Sequence, residues 1–144
     1  MIDVSSEENI KGDRRRSSYH LVFVPKYRRK MFGKPINRAI VREILLAVFQ
    51  RYDAQVHALE LDVDHMHALV ELPIKESVWE TIRKVKQVSS RTIFKAIPKY
   101  RLTLTKGRFW SRYTYYESIG KVTDDKIQTY ITEKQNHYSQ FQNN

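Results

Sequence analysis

Asp64-His65-Met66-His67-Ala68-Leu69-Val70-Glu71-Leu72-Pro73 is the stretch on which the reading of the whole chain turns. As a strand it sends His65, His67, Leu69 and Glu71 to one face and Met66, Ala68, Val70 and Leu72 to the other. The second set is apolar throughout and belongs against a core. The first set projects two imidazoles side by side, and neutral imidazole is the commonest metal ligand among side chains. A bare His-x-His more often marks the wet face of an antiparallel sheet, so its neighbours have to decide between the two.

Upstream, Gln55 to Leu61 reads as a second strand, and Asp62-Val63-Asp64 turns the chain back to make a hairpin. A register that sets Glu60 across from His65 brings a carboxylate to the same sheet face as both histidines. Earlier still, Tyr19-His20-Leu21-Val22-Phe23-Val24 reads as a strand stopped by Pro25. The basic loop Lys26-Tyr27-Arg28-Arg29-Lys30 follows it. Between these strands, apolar residues at 36, 40, 41, 44, 45, 48, 49 and 52 repeat at helical spacing and predict an amphipathic helix.

Downstream, Ser77 caps a helix that runs to about Ile97, with Glu80 completing a capping box. Arg83, Lys84, Lys86, Arg91 and Lys95 make that helix strongly basic. Arg108 to Tyr116 interleaves arginines with aromatics and reads as the last strand, a mix that can hold single-stranded nucleic acid. Thr123 caps a final helix reaching about Phe141, with Asp124 and Asp125 in its first turn. At about 100° per residue, Ile127, Ile131 and Tyr138 cluster together and Tyr130 sits at the edge of their stripe.

The order β-α-β-β-α-β-α predicts an α+β fold. It is a ferredoxin-like, split βαβ antiparallel sheet with helices on one face and an extra C-terminal helix. His20, Glu60, His65 and His67 can all lie on the face the helices leave open. Residues 1–13 read as a flexible tail and 14–144 as a single domain. With 26 Lys+Arg against 16 Asp+Glu, the chain carries a net charge of +10, which favours a polyanionic partner. Lys26, Arg28, Arg83, Lys86 and Arg112 are the cations expected to meet a nucleic-acid strand. Absence of cysteine excludes disulfides and thiolate zinc sites and fits a cytoplasmic protein; no apolar run suits a membrane span.

Four pieces of this pattern together resemble the single-tyrosine HUH transposases of insertion-sequence family 200/605. They are Tyr19-His20-Leu21-Val22-Phe23-Val24-Pro25-Lys26-Tyr27-Arg28, then Asp64-His65-Met66-His67, then Phe109-Trp110-Ser111, and last Gly120-Lys121-Val122 leading to Tyr130-Ile131. They stand in that family's order and spacing and cover about residues 17 to 138. The resemblance implies cleavage and rejoining of single-stranded DNA at the ends of a mobile element. In such a reaction Tyr130 attacks the phosphodiester and becomes linked to the 5′ phosphate. A divalent ion, Mg²⁺ or Mn²⁺, is held by His65 and His67. DNA hairpins near the element ends are the recognised partner, and a homodimer brings each tyrosine to the other subunit's histidines.

One departure stands out. The glutamine usually found four residues after that tyrosine is Lys134 here, with Gln135 one position further and about 140° away from Tyr130 on the helix. Protonated lysine cannot bind a metal, so Glu60 is the expected third ligand. Asp64 and His20 are expected as ligands or as partners that orient the imidazoles. Two other readings compete: a non-enzymatic ferredoxin-like module for single-stranded RNA or DNA, and a domesticated HUH nickase acting on chromosomal repeats.

Overall fold

The computed structural model describes residues 15–142, with side chains described as far as 133. The expected tail and the side chains of Lys134, Gln135 and Tyr138 lie outside the described residues. Strand β1 (Arg16–Pro25) runs into a 3-10 turn (Lys26–Arg28) and then helix α1 (Pro35–Arg51). Strands β2 (Gln55–Leu61) and β3 (Met66–Pro73) form the hairpin. Helix α2 (Val78–Ala96), the single turn α3 (Tyr100–Thr103), strand β4 (Trp110–Ile119) and helix α4 (Asp124–Gln142) complete the chain. The four strands lie in the order β2-β3-β1-β4, every pair antiparallel. This is the split βαβ arrangement, with β1 and β3 central and β4 at an edge.

One face of the sheet is covered by α1 and α2, and the core lies between them. Leu21 and Phe23 of β1 and Met66, Ala68, Val70 and Leu72 of β3 meet Val41, Leu45 and Phe49 of α1 and Ile82, Val85 and Ile93 of α2. Alternation along β3 therefore works as the apolar set demands. Phe23 stacks on Phe49 (6.2 Å between centroids) and meets the edge of Trp110 at 5.5 Å. Small residues let β4 start close to α2: Trp110 Nε1–H donates to Ser89 Oγ (2.9 Å), and Phe109 N–H to Ser90 Oγ (2.7 Å). Helix α2 begins where the sequence predicts, its Glu80 N–H donating to Ser77 Oγ at 3.2 Å. Ile36, counted in the apolar stripe of α1, is instead 66% exposed, because the first turn of the helix stands clear of the core.

The hairpin register differs from the expected one by two residues. Its turn is Val63–Asp64 alone, closed by Asp62 N–H donating to His65 O at 2.8 Å. Glu60 consequently pairs with His67, and Asp62 rather than Glu60 comes opposite His65. A shift of two preserves the face, so Glu60 still shares a side with the histidines. What changes is which carboxylate stands at the mouth of the hairpin.

Candidate active site

The other sheet face is open in part, with Tyr115 of β4 52% exposed there. Helix α4 folds back over it, and with β1, β3 and β4 encloses a cavity of about 930 Å³ lined by His20, Arg28, His65, His67, Tyr115 and Tyr130 among others. Both faces of β3 are therefore buried at its start: Met66 is fully covered on one side and His67 is 1% exposed on the other.

Three potential ligands converge there. One donor atom from each of Asp62, His65 and His67 lies within 4.8 Å of the other two. His65 Nε2 donates to Asp62 Oδ2 at 2.7 Å, and His67 Nε2 stands 3.2 Å from the same oxygen. His67 Nε2 is nonetheless buried without a properly aligned hydrogen bond among the described residues. A second ring of contacts holds the first. Asp64 Oδ1 meets His65 Nδ1 at 2.9 Å, and Arg28 Nε–H donates to Asp64 Oδ2 at 2.9 Å. Arg28 reaches this position from a turn in which Tyr27 (φ 61°) and Arg28 (φ 52°) are both left-handed. Left-handed conformations in non-glycine residues cost about 1–3 kcal/mol each and persist where surrounding contacts enforce them.

Electrostatics follow the geometry. Burial opposes the charge on Asp62, but its hydrogen bond with His65 and the nearby charges of His65 and His67 win and hold its carboxyl well below the usual range. Desolvation likewise opposes protonation of His65, yet Asp62 and Asp64 together raise its pKa. Tyr130 Oη lies 3.0 Å from His67 Nδ1, with the imidazole of His20 5.1 Å from its ring. Burial, then the charges of Glu60 and Asp62, push the Tyr130 phenol strongly upward. In the absence of a compensating positive charge, it stays protonated.

The profile of the transposase IS200-like family matches residues 14–134. The chain belongs to that family. It is 33% identical over 128 residues to the transposase for insertion sequence element IS200 of Salmonella typhimurium, covering 89% of this chain and 83% of that one. It is 25% identical over 113 residues to the ISDra2 transposase TnpA of Deinococcus radiodurans, covering 78% and 80%. Among solved structures, a Deinococcus radiodurans protein solved as a candidate transposase shares the fold at a TM-score of 0.66, with 23% identity over 83% of this chain and 91% of that one. A REP-associated tyrosine transposase bound to a REP hairpin shares it at a TM-score of 0.51, with 13% identity over 78% and 61%.

Membership makes this IS200-like transposase a DNA-processing enzyme of a mobile element, and its possible metal site is the Asp/His cluster just described. Among the described residues, that cluster contains Asp62 and not Glu60. In the sequence Asp62 reads as part of the turn, and the signal that marks it as a ligand is the spacing Asp-x-x-His-x-His. Tyr130 comes together with the histidine pair, but it does so with His67 of its own chain. Of the cations expected at DNA, Arg28 lines the cavity, while Lys26 donates to Lys106 O at 3.0 Å. Arg83 and Arg112 lie on the helix-covered side of the sheet, lining a separate groove. Lys86 is turned inward, its ammonium donating to Ser111 O (2.6 Å) and Thr114 Oγ1 (2.7 Å), so it is spent on holding β4 to α2. No described helix is long and apolar enough to cross a membrane.

Proposed function

We propose that this protein cuts and rejoins single-stranded DNA through Tyr130, with a divalent cation held by Asp62, His65 and His67. The observation that carries the reading is the 3.0 Å approach of Tyr130 Oη to His67 Nδ1, beside that donor set. Attack of the phenol oxygen on phosphorus forms a phosphotyrosine ester with the 5′ phosphate and breaks the bond to O3′. The departing O3′ takes a proton and leaves as a free hydroxyl. Attack by a 3′ hydroxyl on the same ester reverses the step and rejoins the strand, and no ATP is required because the ester bond is conserved.

The residues fit such an ion. Two imidazole nitrogens and one carboxylate oxygen converge, and the buried Nε2 of His67 lacks a proper hydrogen bond that a metal bond would replace. This donor set suits Mn²⁺; Mg²⁺ would need further oxygens from water and phosphate. When bound, the ion polarises the phosphate and stabilises charge developing in the transition state. With Nε2 committed as a ligand, Nδ1 of His67 keeps its proton and donates to Tyr130 Oη, favouring the phenolate. Asp64 holds the His65 ring, and Arg28 holds Asp64. Asp62 takes the role expected of Glu60. Glu60 instead contributes negative charge near the phenol, helping to keep it protonated until the cation is present.

Hairpins of single-stranded DNA at element ends are the proposed substrate, in keeping with the hairpin bound by the REP-associated relative. The proposed assembly is a dimer in which α4 either serves its own sheet or exchanges with the partner's. The residues this reading uses come together from one chain, and Gly120–Thr123, which carries no helix or strand, would be the hinge for exchange.

The test incubates protein, Mn²⁺ and end-labelled single-stranded element DNA, followed by denaturing gels. A covalent adduct is expected for the native protein and is lost completely in Tyr130→Phe, which keeps DNA binding. An adduct surviving in Tyr130→Phe, or mapped to another tyrosine, defeats the assignment. Mixing Tyr130→Phe with His67→Ala protein restores cleavage only if α4 exchanges between subunits.

A further inference from the structure

On the opposite side of the sheet from Tyr130, α2, the segment after α3 and the start of β4 enclose a second groove of about 630 Å³. Five arginines line it: Arg83, Arg91, Arg101, Arg108 and Arg112. No carboxylate is among its lining residues. Two of the five are engaged. Arg83 pairs with Glu80 at 3.0 Å, and Arg101 lies 3.6 Å over the Phe94 ring while donating to Gly107 O at 2.8 Å. Arg91, Arg108 and Arg112 are exposed and, among the described residues, neither donate a hydrogen bond nor pair with an acid. Beneath them the Lys86 ammonium is held by main-chain oxygen and Thr114. Three guanidinium groups gathered without an acidic partner among the described residues repel one another, and an anion seated between them relieves that repulsion.

The groove also carries a stacking surface. Trp79 lies in its lining and is 46% exposed, although the same helix buries its other large apolar residues Ile82, Val85, Ile93 and Phe94. Guanidinium groups spaced along a channel with an exposed indole beside them match a single strand of nucleic acid, whose phosphates take the charge and whose bases take the ring. Alternation along β4 keeps this groove apart from the reactive cavity: Arg112 faces it, while Tyr115 and Glu117 line the cavity on the other side.

We infer that this groove is a second nucleic-acid site that holds single-stranded DNA flanking the cleaved position, with phosphates on Arg91, Arg108 and Arg112 and a base stacked on Trp79. The identity of the polyanion as DNA rests on the proposed function; the groove and its charge do not.

The test measures binding alone, with metal chelated, so it reads the groove even if no adduct ever forms on Tyr130. Anisotropy of a labelled, hairpin-free thymidine oligonucleotide is followed against salt for native protein, Arg91→Gln/Arg108→Gln/Arg112→Gln and Trp79→Ala. Losing three phosphate contacts on a single strand should lower the slope of log affinity against log salt by about 2. Trp79→Ala should weaken binding roughly 5- to 150-fold, the range for one stacked base. A native slope in the triple arginine variant overturns the inference. So does unchanged affinity in Trp79→Ala, or binding of inorganic polyphosphate as tight as that of DNA.

Discussion

The two faces of the sheet are covered by helices in different ways. On one, α1 and α2 bury Phe23, Leu45, Phe49, Val85 and Trp110 almost completely. On the other, α4 meets the sheet through Tyr130 and its contacts with His20 and His67, and none of the described side chains of α4 is fully buried. The first face draws its stability from removing apolar surface from water. The second brings polar groups together that would each prefer water, and it holds them by hydrogen bonds and ion pairs. Stability and chemistry are thus assigned to opposite sides of the same strands, and a change on one side should leave the other largely intact.

The strongest challenge to that division pairs one substitution from each face. Tyr130→Phe should remove the covalent adduct entirely and leave thermal unfolding where it was. Phe49→Ala should do the reverse. It deletes a side chain that is 1% exposed and stacked on Phe23, at a cost of about 3–5 kcal/mol. Chemical denaturation reads that loss, and a Phe49→Ala protein as stable as the native one would show that the core does not lie where its burial places it.

A smaller effect sharpens the polar side. Asp64 touches His65 and is held by Arg28, so Asp64→Ala leaves the proposed ligands in place but frees the ring. Mn²⁺ affinity, followed by calorimetry, should fall about 10- to 100-fold, as it does when partners that orient metal ligands are removed. Unchanged affinity would mean the Arg28–Asp64 pair serves only the strained turn.

The smallest effect concerns Lys86, a half-buried charge on the apolar side. Burial, followed by the charge of Arg108, lowers the Lys86 ammonium to about 8. In the unfolded chain it titrates near 10.4. Between those values the unfolded chain holds a proton that the folded chain has released, so stability rises as pH climbs from about 8 to about 10.4. Replacing the residue as Lys86→Gln should flatten that rise in melting temperature against pH, and a rise of equal size in the variant would assign it to another group.

Local patterns in the sequence determined a good deal of this protein. Period-two alternation placed Met66, Ala68, Val70 and Leu72 against the core, helical periodicity placed Leu45 and Phe49 there, and Ser77 marked the start of α2. These depend on neighbours a few residues apart, so they are legible in one dimension. The family resemblance added Tyr130, which periodicity alone left at the edge of an apolar stripe. Tertiary structure decided the rest. Turn length set the hairpin register, and a two-residue turn put Asp62 rather than Glu60 beside the imidazoles. Docking of α4 on its own sheet brought Tyr130 to His67 across 63 residues of sequence. Lys86 and Arg112 look alike as cations in a string of letters, yet one is turned inward onto Thr114 and the other is left facing a groove. Charge, reach and register act through space, between segments whose separation no local pattern encodes.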